Sequence, residues 1–292
     1  MSVRLAVGLA LAVVSTAALS WGFFAQHGAA GGMPALSPRR PLRSLRSLFS
    51  SPRWLAGYLA GLAGWGLYVW ALGFAPLSLV QATSAGGIGL LALLSSRIRG
   101  IRLRSSERGG VLVSLVGLAL LGASLGSATG GRATHSAAAP LAWVLSSAAL
   151  AVAAGASARS LEPGAGLAIA AGLLYSAGDV ATKAALSGMA PLFVPLLLAC
   201  HGLGFAAMQT TLQRGEVLPT VGVASLLMNA LPIVAGITVF REQVPTGAAE
   251  VARLVSFAAV VVGAALLSRR QAGRSVSPSV GADTSAAMLP SG

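Results

Sequence analysis

One close pair of opposite charges stands inside an apolar stretch of this 292-residue chain: Asp179 and Lys183, in YSAGDVATKAAL. Four residues apart, they share one face of a helix, where a carboxylate and an ammonium can neutralise each other. The carboxylate could equally bind a cation or a protonated amine and change partner from Lys183 to substrate. In the plainer alternative Lys183 snorkels to lipid headgroups with Asp179 as its counter-ion. Tyr175 lies one turn before Asp179 on the same face, a candidate cavity residue. Gln81 and Asn229 stand near Pro76 and Pro232. A proline at or within an apolar span frees backbone carbonyls that need other partners, and side-chain amides offer donors and acceptors for a polar ligand. Hydrogen bonding between helices is the simpler role for these amides. The expected substrate-binding set is therefore Asp179, Lys183, Tyr175, Gln81 and Asn229. His201 and Gln209 are weaker candidates, groups of a kind that more often pack than bind a ligand, and Trp65, Tyr68 and Trp70 read as an interfacial aromatic belt.

Other chemistries find little footing. No Ser/His/Asp grouping or paired carboxylates at a common depth supports catalysis, so the chain does not read as an enzyme. Cys200 is the single cysteine, which rules out an intramolecular disulfide or a thiolate cluster. His27, His135 and His201 lack ligand spacing. The GGIG run at 86–89 has no Walker lysine and sits in an apolar span, so it is not a phosphate loop. No metal and no cofactor are expected.

The elements that must position the polar residues are apolar helices. The chain is 55% hydrophobic and 9% charged, with mean hydropathy +0.80, whereas a soluble domain carries roughly 25% charged residues. Apolar stretches long enough to cross a bilayer are predicted at 3–25, 54–74, 77–96, 109–127, 140–157, 164–186, 190–211, 217–240 and 249–268. The first is read as a retained span, its rival a secretory signal peptide. Residues 26–53 carry Arg39, Arg40, Arg43, Arg46 and Arg53 among leucines, which fits a surface amphipathic helix or a solvated loop. The tail 269–292 reads as disordered.

The net charge of +13 lies between the spans. With nine spans, fifteen of the twenty basic residues fall on one side, including all of the RIRGIRLR run at 97–104. Because cytoplasmic loops retain positive charge, the amino terminus is expected outside and the carboxyl terminus inside a plasma membrane. The same asymmetry explains the basic pI through anionic lipid rather than nucleic acid.

The two halves resemble each other. Ser20, Gly22 and Ala25 match Ser176, Gly178 and Ala181 at an offset of 156 residues, and Gly8 and Gly164 fit it too. Later, LVGLALLG at 115–122 resembles VVGAALL at 261–267. The expected fold is all-α: a polytopic membrane helix bundle of two inverted four-helix repeats, 1–127 and 159–268, joined by a connecting helix within 128–158. Inverted repeats place a site near the midplane and permit alternating access. Gly57, Gly61, Gly64, Gly86, Gly87 and Gly89 read as points of close helix contact.

The run ALGFAPLSLVQATSAGGIGLLALLSSRIRG (71–100), answered by LPIVAGITVFREQVP (231–245), resembles the halves of the drug/metabolite transporter superfamily (EamA-like). Glu242 occupies the place of that family's turn glutamate, where the first half has Ser95, Ser96 and Arg97. Nine spans with a basic first loop look closest to the NIPA-type magnesium-transporter branch and its bacterial relatives. The resemblance implies a secondary transporter of a small polar metabolite or cation, with a Mg²⁺ path or a non-transporting scaffold as alternatives. Expected partners are the lipid bilayer and a small-molecule or ion substrate, with a homodimer left open.

Overall fold

The computed structural model describes residues 2–30, 50–99, 105–124, 136–157, 165–213 and 217–275. Among these residues all regular structure is helical. The helices are α1 (Val3–Ala30), α2 (Pro52–Phe74), α3 (Leu77–Arg99), α4 (Ser105–Ser124), α5 (Ala138–Ala156), α6 (Ala165–Ala184), α7 (Ala190–Gln213), α8 (Val217–Thr238) and α9 (Ala248–Ser275). Each coincides with an apolar stretch read from the sequence. The last runs past Leu267, so residues 269–275, expected in a disordered tail, are helical. Most of the basic loop at 26–53, and the tail beyond Ser275, lie outside the described residues.

Among the described residues five segments are long and apolar enough to cross a membrane: Val3–Gly22, Pro52–Phe74, Ala138–Ala156, Ala165–Met208 and Ala248–Leu267. Arg108–Leu121 and Val223–Thr238 are shorter apolar stretches. The composition of these helices is compatible with a membrane location. The 44-residue segment Ala165–Met208 contains both α6 and α7. It folds back at a π-helical turn, Ala185–Met189, where Gly188 takes φ 94°, a left-handed conformation that costs glycine little. The two helices then pack along each other.

Local chemistry sets the other ends. Ser51 accepts from the Trp54 N–H at 3.4 Å, with Pro52 in the first turn of α2, a favourable helix start. Pro76 forces Ala75 into extended backbone (φ −136°, ψ 157°), ending α2. α3 then begins one residue later.

α3 lies at the centre, packed on α1, α4, α8 and α9, while α6 packs on α5, α7 and α8. The core follows from these contacts: Leu77, Leu79, Val80 and Ala82 of α3 pack with Ala177, Val180 and Ala181 of α6 and with Phe193, Ile233 and Val260. Glycines admit the close approaches. A Cβ on Gly22 would lie 2.6 Å from Gly57 O and 2.8 Å from Gly61 N, so α1 meets α2 backbone to backbone. Gly86, Gly87 and Gly89 lie against Leu118, Thr16 and Ser114 respectively, which fits the contact role expected for that run. Gly117 of α4 meets Val260 N at 2.9 Å, and Gly263 of α9 meets Ser114 N at 2.9 Å, both measured from an added Cβ.

Candidate functional site

Asp179 is buried in α6 and is the acceptor around which the polar interior is arranged. Gln81 of α3 donates through Nε2 to Asp179 Oδ2 at 2.6 Å and to the Met228 carbonyl of α8 at 3.2 Å. That carbonyl is available for a reason in the sequence: Pro232, four residues on, has no N–H to offer it. The proline thus frees a carbonyl, and Gln81, buried on a neighbouring helix, satisfies it.

The other carboxylate oxygen faces α7. His201 Nε2 stands 3.5 Å from Asp179 Oδ1, while His201 Nδ1 lies 3.0 Å from the Leu197 carbonyl one turn back on its own helix. The imidazole is seated by its neighbours. Trp65 and Tyr175 meet it edge-on, with ring centroids at 5.9 and 6.0 Å and interplanar angles of 67° and 78°. Gly178 leaves room for it, since a Cβ there would fall within 2.2 Å of Nδ1.

Tyr68 of α2 is also buried and lies beside Asp179, yet its hydroxyl makes no hydrogen bond of normal geometry. The Trp65 Nε1 and Ser176 Oγ are likewise buried without a partner. Buried polar atoms are paired in the great majority of cases. Three polar atoms near this interior, on Trp65, Tyr68 and Ser176, thus stand without a hydrogen bond of normal geometry.

The expected ion pair between Asp179 and Lys183 is not formed. Lys183 instead donates to the carbonyls of Leu72 at 2.8 Å and Ala75 at 3.0 Å, at the carboxyl end of α2. Those carbonyls lack helical partners and carry the negative end of the helix dipole, so an ammonium is favoured there over a carboxylate one turn away. Asn229 is buried but donates to Ser225 O at 2.7 Å within its own helix, next to Met228 rather than to the carboxylate. Of the five residues singled out from the sequence, Asp179, Gln81 and Tyr175 share one cluster, and Lys183 and Asn229 serve nearby backbone. The aromatic belt divides as well. Trp70 is exposed, whereas Trp65 and Tyr68 turn inward.

His201 is the member that sequence reasoning undervalued. Its signal was an ionisable residue inside an apolar span with no charge of its own nearby, a pattern that calls for a partner on another helix. The side chain of Gln209, and those of His27 and His135, lie outside the described residues. Among the described residues no three of His, Cys, Asp and Glu gather as a metal group would require.

Glu242 has a defined place. It lies buried in the α8–α9 connection and accepts from the backbone N–H groups of Leu77 at 2.5 Å and Ser78 at 2.9 Å. These are free donors at the start of α3, and a carboxylate complements the positive end of that helix. Gly236 makes the approach feasible, because a Cβ there would be 2.5 Å from Glu242 Oε2 and 2.9 Å from Ser78 N. The break at Ala75–Pro76 is thus held from both sides, by Lys183 on the helix that ends and Glu242 on the helix that begins.

Comparison with protein-family models, with curated proteins and with solved structures gives no match.

Proposed function

We propose that this chain is a secondary transporter in a bacterial plasma membrane, moving a small cationic or hydrogen-bond-donating solute by alternating access between two inverted halves. One observation carries the reading: a buried carboxylate, Asp179, met by the side chains of Gln81 from α3 and His201 from α7. An ionisable group at such depth is costly, and it is found where substrates or ions pass.

Two features support the inverted plan. Helix contacts recur in matched pairs: α1 packs on α2 and α3 as α6 packs on α7 and α8, and α3 packs on α4 as α8 packs on α9. α3 with α8 and α4 with α9 join equivalent helices across the halves, while the α3–α9 contact lacks an equally strong counterpart. The second feature is residue by residue. Gly117 faces Val260 and Gly263 faces Ser114, and each pair maps onto the other under the same offset that aligns 115–121 with 261–267. Such reciprocity is what a local two-fold axis between α4 and α9 produces. Gly22 and Gly178, equivalent at the other offset, both receive the next helix of their own half. The drug/metabolite transporter superfamily is the family this plan resembles, with the amino terminus outside.

A single carboxylate, with no three of His, Cys, Asp and Glu gathered among the described residues, favours a singly charged or hydrogen-bonding solute over Mg²⁺, which prefers several oxygen ligands and retained water. Reconstitution into liposomes with a panel of metabolites and Mg²⁺ tests the proposal. Saturable flux of one solute, abolished in Asp179→Asn that still inserts and folds, is the expected result. Unchanged flux in that variant would sink the assignment of Asp179, and absence of flux for every solute would leave a scaffold as the better reading.

A further inference from the structure

The hydrogen-bond inventory around His201 fixes more than its position. Leu197 O can only accept, so the contact at 3.0 Å requires a proton on Nδ1. In neutral imidazole the other nitrogen, Nε2, is then a bare acceptor, and it faces Asp179 Oδ1. Two acceptors do not hold each other. A shared proton reconciles them: on Nε2 it makes the ring imidazolium, on Oδ1 it makes the carboxyl neutral. In both states the pair holds one proton beyond the one on Nδ1 and is electrically neutral.

Apart from Tyr68, whose phenol hydroxyl lies beside Asp179, no neighbour is placed to carry that proton. Gln81 already uses Nε2 on Oδ2 and on Met228 O. On α2, Tyr68 is a phenol; on α6, Tyr175 meets the ring by its edge and Lys183 is committed to the end of α2. Cys200 precedes His201 on α7, Glu242 is committed to the start of α3, and α5, packed on α6, has no titratable side chain.

We propose that Asp179 and His201 form a one-proton site whose proton is exchanged for the solute. A cationic solute that occupies the carboxylate replaces the proton: the pair goes from carboxylate with imidazolium to carboxylate with bound cation and neutral imidazole, and one H⁺ leaves to water. Charge balances at one proton out per cation in. The exchange rests on the transporter reading above; the shared proton does not.

Infrared difference spectroscopy of the full chain in phosphatidylethanolamine–phosphatidylglycerol liposomes, across an acid-to-alkaline titration, tests the shared proton. The carboxyl band lost in Asp179→Asn is expected to titrate with a midpoint that moves by at least about 1 pH unit in His201→Gln and in His201→Asn. The asparagine amide retains a donor for Leu197, so loss of that contact is separated from loss of the proton. An unmoved midpoint in both variants overturns the site. Exchange is read in the same liposomes with choline, a permanent cation, and with glucose and Mg²⁺. Choline uptake driven by an acid interior and accompanied by proton efflux is expected. Uptake indifferent to the gradient, or no flux of any solute, overturns the exchange. No flux beside a moved midpoint rejects the transporter reading and upholds the one-proton site.

Discussion

Removing the Glu242 carboxylate is the perturbation whose cost the geometry defines best. Its two oxygens each accept one backbone N–H, from Leu77 and Ser78, inside the protein. Glu242→Ala leaves both donors without a partner, and a buried unpaired donor costs about 1–3 kcal/mol. Part of this is offset because the carboxylate itself no longer has to be desolvated, so the net loss expected is about 2–4 kcal/mol. Glu242→Gln retains one oxygen and turns an amide N–H₂ toward the second donor, which should cost about half as much. Equilibrium unfolding by SDS from lipid–detergent micelles, followed by tryptophan fluorescence, measures the series. The order parent, Gln, Ala is the expected result. An Ala variant within about 0.5 kcal/mol of the parent, the range of an ordinary surface change, would show that α3 does not depend on this cap.

Lys183→Met should destabilise the same break, and combined with Glu242→Gln it should cost less than the sum by about 1 kcal/mol, because the two charges attract; a double-mutant cycle in the same assay checks this. Gly178→Ala should displace the His201 ring, costing about 1–3 kcal/mol, and should weaken solute flux in liposomes more than Gly204→Ala, whose added Cβ meets Tyr175 at an ordinary 3.4 Å. Substituting Gly117 or Gly263 with Val should destabilise by similar amounts if the α4–α9 contact is two-fold in character; a large inequality would argue against the repeat.

Helix positions were legible because a stretch of apolar residues with small side chains leaves one local solution, and Pro76 or Gly188 marks where it must stop. Asp179 was legible for the same reason, as a charge in the wrong solvent. Its partner was not. Sequence spacing offers Lys183 at i+4, but a four-carbon side chain also reaches the end of a neighbouring helix, and which target wins depends on where α2 stops relative to α6. His201 lies 22 residues from Asp179, and only the turn at Gly188 brings it back alongside. Gln81 was picked out for its nearness to Pro76, yet the carbonyl it serves is that of Met228, left free by Pro232. Tyr68 and Trp65 could not be told from Trp70 by type. What separates them is rotation of α2 against α6 and α7, a property of packing.

For the membrane protein proposed above, the turn at Gly188 also bears on insertion. With α6 and α7 joined by five residues that include no charge, the 44-residue segment can enter the bilayer as a single hairpin. Asp179 alone inside an apolar span would resist insertion by as much as about 2.5–3.5 kcal/mol. In the hairpin it arrives with His201 opposite, 3.5 Å away, and the one-proton pair proposed above is neutral. The short connection therefore makes biogenesis and chemistry depend on one pairing: a variant that lengthens the turn would be expected to be inserted less completely before any transport could be measured.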